Sequence, residues 1–371
     1  MKIVIVGGGL GGLTLARVLH VNGIESTVYE LDESPTARDQ GGTLDLHVES
    51  GQWAMREAGL FDQFRAIARD EGEALRVLDG KGTVHLDDNA AEPGGRPEVD
   101  RSELKRILVE SLPDGLVRWG TKVTAVEPGK ITLADGTIVA ADLVVGADGA
   151  WSKVRPLLSP ARPIYSGLSF VEAHLSDVDA RHPDAAAFVG PGSMWGLGDG
   201  KGVIAQRNGD GRIRVYVAIR AEDENWVSTE LVDADSTQTR LRLLELFDDF
   251  AEPLRGLIAD ADDTFVPRPI HALPVGHRWS RVPGVTLLGD AAHLMSPFAG
   301  EGANLAMHDG ADLALALAAH DDVESALSAY ETAMFPRAEE SARQSATNLV
   351  DLFEPGAAAR ISEFMAQHSG Q

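Results

Sequence analysis

The chain opens on a short, uninterrupted apolar run, Lys2-Ile-Val-Ile-Val6, rich in β-branched residues. That is the pattern of a parallel strand buried on both faces. Glycines dominate positions 7 to 12. Apolar residues at helical spacing follow from Leu13 to Asn22, Gly23 supplies a helix stop, and Glu25 to Glu30 reads as a second strand. Strand, turn, helix, strand is the opening of a doubly wound α/β sheet. The pattern then predicts helix over 48–70 and over 100–111, where Asp100 and Glu103 make a capping-box-like start. Short strands fill 115–147, with a hairpin signal at Asp135-Gly136 and a buried last strand from Asp142 to Gly146.

The character changes near residue 163. Segments 167–176, 186–190, 202–207 and 212–220 read as strands between Gly, Asp and Asn turns, which predicts antiparallel sheet and a second domain. Residues 236–258 are mainly helical. The buried-strand pattern returns at Val285 to Leu288, and helices follow over 302–319, 322–350 and 358–367. The expected fold class is α/β. A Rossmann-like domain is discontinuous over 1–75, 100–163 and 272–330. A mainly antiparallel β-sheet domain takes 76–99 and 164–271, and C-terminal helices occupy 331–371.

Composition narrows the function. The 371 residues are 44% hydrophobic, enough for a sizeable core. A net charge of −24 with no Lys/Arg-rich block argues against a nucleic-acid partner. The absence of cysteine excludes disulfides, thiolate metal sites, cysteine nucleophiles and cofactor attachment through sulfur. No apolar stretch reaches the roughly 18 residues that a membrane span needs. The apolar start is too short for a signal peptide and runs into glycines, so a cytoplasmic protein is predicted, and a monomer. Neither a Ser-His-Asp arrangement nor metal-ligand spacing is present, and no metal is expected.

The candidate chemistry begins at Gly7-Gly-Gly-Leu-Gly-Gly12, which satisfies G-x-G-x-x-G through Gly7, Gly9 and Gly12, with Leu10 and Gly11 inside the turn. Gly7 permits the tight turn, Gly9 lets backbone approach a pyrophosphate, and Gly12 lets helix pack on strand. The N–H groups at the helix start suit phosphate. Glu30, at the end of the second strand, suits the hydroxyls of an adenosine ribose. This motif alone does not separate NAD from FAD. Two further motifs do: Asp148-Gly-Ala-Trp-Ser-Lys-Val-Arg155, and Gly289-Asp-Ala-Ala-His293 leading into Pro297-Phe-Ala-Gly-Glu-Gly-Ala-Asn304. Asp290 is placed to accept from ribityl hydroxyls. Helix N–H groups near Gly302 can stabilise negative charge on a reduced flavin, and Gly300 and Gly302 let the ring approach the backbone.

Together the three motifs resemble the single-component FAD monooxygenases of the aromatic-hydroxylase type. Within these the chain is most similar to the tetracycline-inactivating Tet(X) kind, through Gly41-Gly-Thr-Leu-Asp-Leu-His47 and Gly289-Asp-Ala-Ala-His-Leu-Met295 with Pro297-Phe-Ala-Gly300. The resemblance implies a non-covalent FAD bound by the three motifs, including Asp148, Asp290, Pro297, Gly300, Gly302, Ala303 and Asn304. It also implies contacts from Arg38, Gly41 and Arg101. Arg155 suits either a phosphate or an acidic neighbour. Glu301 departs from the Gln usual in the family and is expected to point outward into solvent, while His47 and His293 are expected to be structural.

The resemblance implies further that NADPH or NADH reduces the flavin without a Rossmann domain of its own. The reduced flavin and molecular oxygen then form a C4a-hydroperoxide that hydroxylates a polycyclic or phenolic small molecule. Catalytic side chains are few in such enzymes, and no acid or base is assigned. The substrate is expected between flavin and antiparallel sheet, among Phe170, Glu172, Met194, Trp195, Tyr216, Pro297 and Phe298. Aligned by eye, Glu172, Met194 and Val215 replace the polar residues that grip tetracycline, unless the alignment slips and Arg214 compensates. Tetracycline is therefore expected to be a poor substrate. The alternatives are a flavin-linked reductase or dehydrogenase of the same fold, and a non-catalytic FAD-binding regulator.

Overall fold

The computed structural model describes residues 1–37, 41–88, 95–233 and 235–368. The chain folds as two units. Met1–Ala68, Arg101–Ile164 and His271–Ala346 form the first, and Arg69–Asp100, Tyr165–Ile270 and Thr347–Gln371 the second. The C-terminal helical region is thus divided between them, where the sequence pattern suggested a third, separate part.

The first unit is built on a five-stranded sheet in the order Val285–Leu287, Leu143–Gly146, Ile3–Val6, Ser26–Tyr29, Val117–Arg118. Every neighbouring pair in it is parallel. Ile3, Val4 and Ile5 are at most 1% exposed, as the unbroken apolar run requires. The first helix, Leu10–Val21, packs on this sheet through glycine. A Cβ on Gly12 would lie 2.2 Å from the Gly7 carbonyl oxygen, and one on Gly7 would lie 2.3 Å from that of Ala147. Gly7 also has φ +109°, which side chains other than glycine rarely adopt.

The helix Gly302–Ala319 crosses the first helix backbone to backbone. A Cβ on Gly11 would come within 2.7 Å of the Ala306 carbonyl oxygen, and one on Gly310 within 2.5 Å of that of Gly11. Beneath this crossing lies Asp309, fully buried. Its Oδ2 pairs with Nε2 of His293 at 2.6 Å and accepts from the Gly289 N–H at 3.0 Å. Its Oδ1 accepts from Arg337 at 3.1 Å. The small antiparallel sheet Val123–Glu127, Lys130–Leu133, Ile138–Ala140 turns at Asp135-Gly136 as the hairpin signal predicts.

The second unit is a seven-stranded sheet in the order Val266–Ala272, Ile164–Leu175, Ile213–Arg220, Lys201–Arg207, Ser193–Leu197, Leu75–Asp79, Val84–Asp88. One face carries Val171, Leu175, Met194, Val203, Val215 and Val217. They bury themselves with Leu243, Phe247, Leu254 and Leu257 from the helices Ser236–Leu246 and Glu252–Ala259. The register Glu172↔Tyr216↔Ile204↔Trp195 sets the opposite face.

Several elements differ from the sequence pattern for identifiable reasons. Residues 186–189 belong to a helix, Pro183–Val189, opened by a proline in its first turn, propagated by three alanines and closed by Gly190. The helix expected over 48–70 breaks in two at Gly59, whose φ is +66°. That over 236–258 breaks before Glu252-Pro253, another N-terminal proline. The strand Val266–Ala272 contains two prolines, which an edge strand accommodates and a central one does not. The expected capping box does not form. Asp100 accepts from the Gly209 N–H and pairs with Arg69, while Glu103 pairs with Arg106. Among the described residues no helix is long and apolar enough to cross a membrane.

The glycine crossing yields a stability prediction. Gly310→Ala is expected to destabilise the protein by about 1–3 kcal/mol, because its methyl group would meet backbone that cannot step aside. Urea unfolding measures this, and a midpoint equal to that of wild type would show that the crossing has slack.

Candidate cofactor site

The first three site elements follow the C-terminal ends of three adjacent parallel strands. Gly7–Gly12 follows Ile3–Val6, Asp148 follows Leu143–Gly146, and Asp290 follows Val285–Leu287. In open parallel sheets this edge is where ligands bind.

Gly9 is exposed and caps the first helix with extended backbone, φ −77° and ψ 180°. A Cβ added there would meet nothing within 4 Å. Its neighbours Gly7, Gly11 and Gly12 are glycine because protein backbone presses against them; Gly9 has open space instead. Leu10, the first helical residue, is buried. Glu30 is buried at 8% exposure, with Oε2 accepting from the Gly8 N–H and Oε1 from the Asp32 N–H at 2.9 Å. The carboxylate is thereby fixed beside the glycine turn with acceptor capacity left over.

Asp148 accepts from the Lys153 N–H through Oδ2 at 2.6 Å, while its buried Oδ1 has no hydrogen-bond partner among the described residues. Burial pushes its carboxyl up from the ordinary range, against the pull of hydrogen bonds from Ser152 and Lys153. An unmatched buried acceptor is costly without a donor, and a ligand hydroxyl can supply one. Asp290 is open to solvent, yet surrounding protein desolvates it enough to push its carboxyl up, opposed by the charges of His293, Arg101 and Arg155.

Arg155 has the acidic neighbours Asp148 and Asp290 within electrostatic reach, while its guanidinium hydrogen bonds go to backbone carbonyls. Its guanidinium is 3% exposed and donates to the carbonyl oxygens of Ala291 at 3.1 Å and Ala150 at 2.6 Å. It ties the second motif to the third. Arg101 opens the helix Arg101–Glu110, donates its N–H to the Gly42 carbonyl and lies beside Gly41, whose φ is +103°. Arg38 lies outside the described residues.

In the third motif, Pro297 is exposed and Phe298 half-buried in the single turn Pro297–Ala299, which ends at Gly300 with φ +68°. Gly302 starts the long helix, and a Cβ on it would meet nothing within 4 Å. Ala303 beside it is half-buried. Asn304 is 1% exposed and its side chain serves the protein. Oδ1 accepts from the N–H groups of His47 and Gly51, and Nδ2 donates to the carbonyls of Asp45 and Gly300. Glu301 does not point into solvent as expected. It is half-buried and bonded to Nδ1 of His47 at 2.8 Å, and Nε2 of the same ring meets Asp45 at 2.8 Å. Sequence reading had no signal for this pairing, because 254 residues separate the partners.

The candidate substrate residues of the second unit divide by sheet face. The rings of Phe170 and Tyr216 lie 5.4 Å apart, tilted at 45°, with Glu172 and Trp195 on the same face. Glu172 pairs with Arg214 and, at 2.9 Å, with Arg268. Met194 is a correction: it is fully buried on the opposite face, inside the core, and cannot line an open site there. Val215 is likewise core, so neither residue replaces a polar contact. Arg214 was foreseen as a compensating polar residue and Arg268 was not; both pair with Glu172.

These features fit FAD: an open helix start for pyrophosphate, an anchored carboxylate for ribose, an unmatched buried aspartate, and a second helix start with free approach. Comparison with known proteins agrees. A family model described as FAD binding domain matches residues 1–345. The chain is 33% identical to Monooxygenase asqM of Emericella nidulans over 98% of each chain. It is 34% identical to 3-amino-4-hydroxybenzoate 2-monooxygenase PtnB3 of Streptomyces platensis, over 93% of this chain and 86% of that one. Among solved structures, Klebsiella pneumoniae HpxO complexed with FAD and uric acid shares the fold at a TM-score of 0.80 and 24% identity, covering 99% of this chain and 92% of that one. The tetracycline destructase Tet(55) shares it at 0.77 and 20% identity, covering 100% and 95%. The chain belongs to the FAD-binding-domain family of FAD-dependent monooxygenases.

Proposed function

We propose that this protein hydroxylates a phenolic or polycyclic small molecule, using non-covalent FAD, molecular oxygen and NADPH or NADH. The observation that carries the substrate class is the Phe170–Tyr216 face with its two arginines. The half-buried rings of Tyr216 and Trp195 offer stacking surface there, with Phe170 buried beside Tyr216. Glu172 pairs with both Arg214 and Arg268, so two guanidinium groups flank its carboxylate on this face. Arg268 is 57% exposed and so available to an acidic phenol or enol oxygen. Arg214 is held by Glu172 and keeps that carboxylate in place.

Bound FAD supplies the oxygen-activating chemistry, delivering one oxygen atom to the substrate. The chain's own residues hold and tune it. Glu30 receives the ribose hydroxyls, and the helix start at Gly9 the pyrophosphate. Asp148 and Asp290 accept from hydroxyls along the cofactor's middle. The helix start at Gly302 offers unpaired N–H groups to a ring that becomes anionic on reduction. The single G-x-G-x-x-G leaves no second Rossmann site for the nicotinamide reductant, which fits a co-substrate that binds only in passing.

Three measurements test this reading. Denaturation of purified protein is expected to release all its yellow colour into solution; flavin retained by the precipitate would contradict non-covalent binding. Asp290→Ala is expected to weaken FAD binding about tenfold or more, the loss of a hydrogen bond to an ionised acceptor at roughly 1.5–3 kcal/mol. Glu172→Ala should leave FAD affinity near wild type, and equal affinities for Asp290→Ala and wild type would remove the anchor assignment. Finally, NADPH and NADH turnover with oxygen uptake is scored by mass spectrometry for one added oxygen, over simple and polycyclic phenols and tetracycline. Phenols are expected to be oxygenated and tetracycline to be a poor substrate, because Glu172 is committed to two arginines and offers no donor. Tightly coupled tetracycline hydroxylation with no phenol product would overturn the substrate class.

A further inference from the structure

The Asp45–His47–Glu301 cluster goes beyond cofactor holding. Each nitrogen of the His47 ring faces a carboxylate oxygen at 2.8 Å, Nε2 toward Asp45 and Nδ1 toward Glu301. A neutral imidazole has one N–H and one lone pair. It would leave one carboxylate against a lone pair, so with both carboxylates ionised the geometry requires the imidazolium. The side chain of His47 is 11% exposed, which keeps the pairings out of bulk water.

The cluster joins two parts of the cofactor site. Asp45 and His47 belong to the segment that begins at Gly41, beside Arg101. Glu301 precedes Gly302 at the open helix start, and the Gly300 turn lies against Asp45 and His47. Asn304 stitches the same two segments through neutral hydrogen bonds. We propose that His47 is a positioning residue, a charged latch that fixes the Gly41–His47 segment against the flavin-facing helix start and compensates the carboxylate of Glu301 there. A bare carboxylate at this helix start would oppose negative charge on the reduced flavin. Paired with His47, Glu301 leaves the helix N–H groups to act on the ring.

The groups facing His47 set its titration. Asp45 comes from the strand Thr43–Asp45 and Glu301 from the helix start, while the third neighbour, Asn304, is neutral. Burial disfavours the charged ring, but hydrogen bonds and charge from Asp45 and Glu301 outweigh it and hold His47 at about 9 against an ordinary 6.5. A histidine raised by its fold contributes full stabilisation below its unfolded value. It loses that contribution as pH climbs through the folded value. The latch is therefore closed at neutral pH and opens in the alkaline range.

The test is FAD affinity by fluorescence titration from pH 6.5 to 10, on wild type, His47→Gln and Glu301→Gln, with thermal unfolding of the flavin-free proteins alongside. Wild-type affinity is expected to fall about tenfold or more across the alkaline limb. His47→Gln should lose that limb, leaving only the pH dependence of FAD itself. Glu301→Gln should move the midpoint down by about one pH unit or more, since one of two carboxylates raising His47 is gone. Unfolding temperatures should follow the same order. A His47→Gln protein that keeps the wild-type limb, or a Glu301→Gln midpoint unmoved from wild type, would overturn the latch. Loss of affinity at every pH with an unmoved midpoint would mean that these residues only support the fold. No substrate enters these measurements, so they stand apart from the choice of phenol as substrate.

Discussion

The close approach of backbone to backbone is the constraint on which this site rests. Gly7 against Ala147, and Gly11 against Gly310, hold pieces of chain far apart in sequence at distances that no side chain would permit. The first contact brings the glycine turn against the second motif. The second sets the first helix against the helix of the third. Because the three strands that feed these motifs are neighbours in one parallel sheet, Gly9, Asp148 and Asp290 emerge side by side along a single edge. A long, thin ligand with phosphate near its middle and a ring at either end is what such a row suits.

Charge is managed differently in the interior and at the open helix starts. Inside, Asp309 receives a histidine, an arginine and a backbone N–H, and its carboxyl is held below the ordinary range despite the desolvation that favours the neutral form. At the Gly9 and Gly302 starts, backbone dipoles take over, with Glu301 already matched by His47. An acidic protein, at −24, can thus receive an acidic cofactor without a cluster of lysines. Fixed N–H groups carry partial positive charge, and their orientation comes with the fold.

Most of the first unit was legible in the sequence because its signals are local. A buried parallel strand reads as an unbroken β-branched run, and each motif follows its strand within a few residues. The second unit was legible in its strands at 167–176, 202–207 and 212–220, where apolar runs lie between Gly, Asp and Asn turns. It failed at Met194, since a methionine beside glycine-rich turns carries no mark of which face it takes. It failed also at 186–190, where a proline followed by alanines was read as strand. Arg155 was partly legible: acidic neighbours were one of its two expected settings, but nothing local marks the carbonyl oxygens that take its hydrogen bonds. The His47–Glu301 pair was invisible for a different reason: each residue is unremarkable alone, and only the fold brings them together.

The buried carboxylate and its two cationic partners carry an evolutionary consequence. His293 belongs to the third motif, Asp309 to the helix behind it, and Arg337 to a later helix with no motif of its own. Losing His293 or Arg337 takes a cation from a carboxylate that water cannot reach, and losing Asp309 strands the buried His293. Substitution at these sites is therefore caught in a valley: single steps are penalised, while a joint exchange to uncharged residues is open. Across descendants of a common ancestor, the three positions should change hands as a set, and drift at Arg337 should be as slow as at the motif residues it never touches.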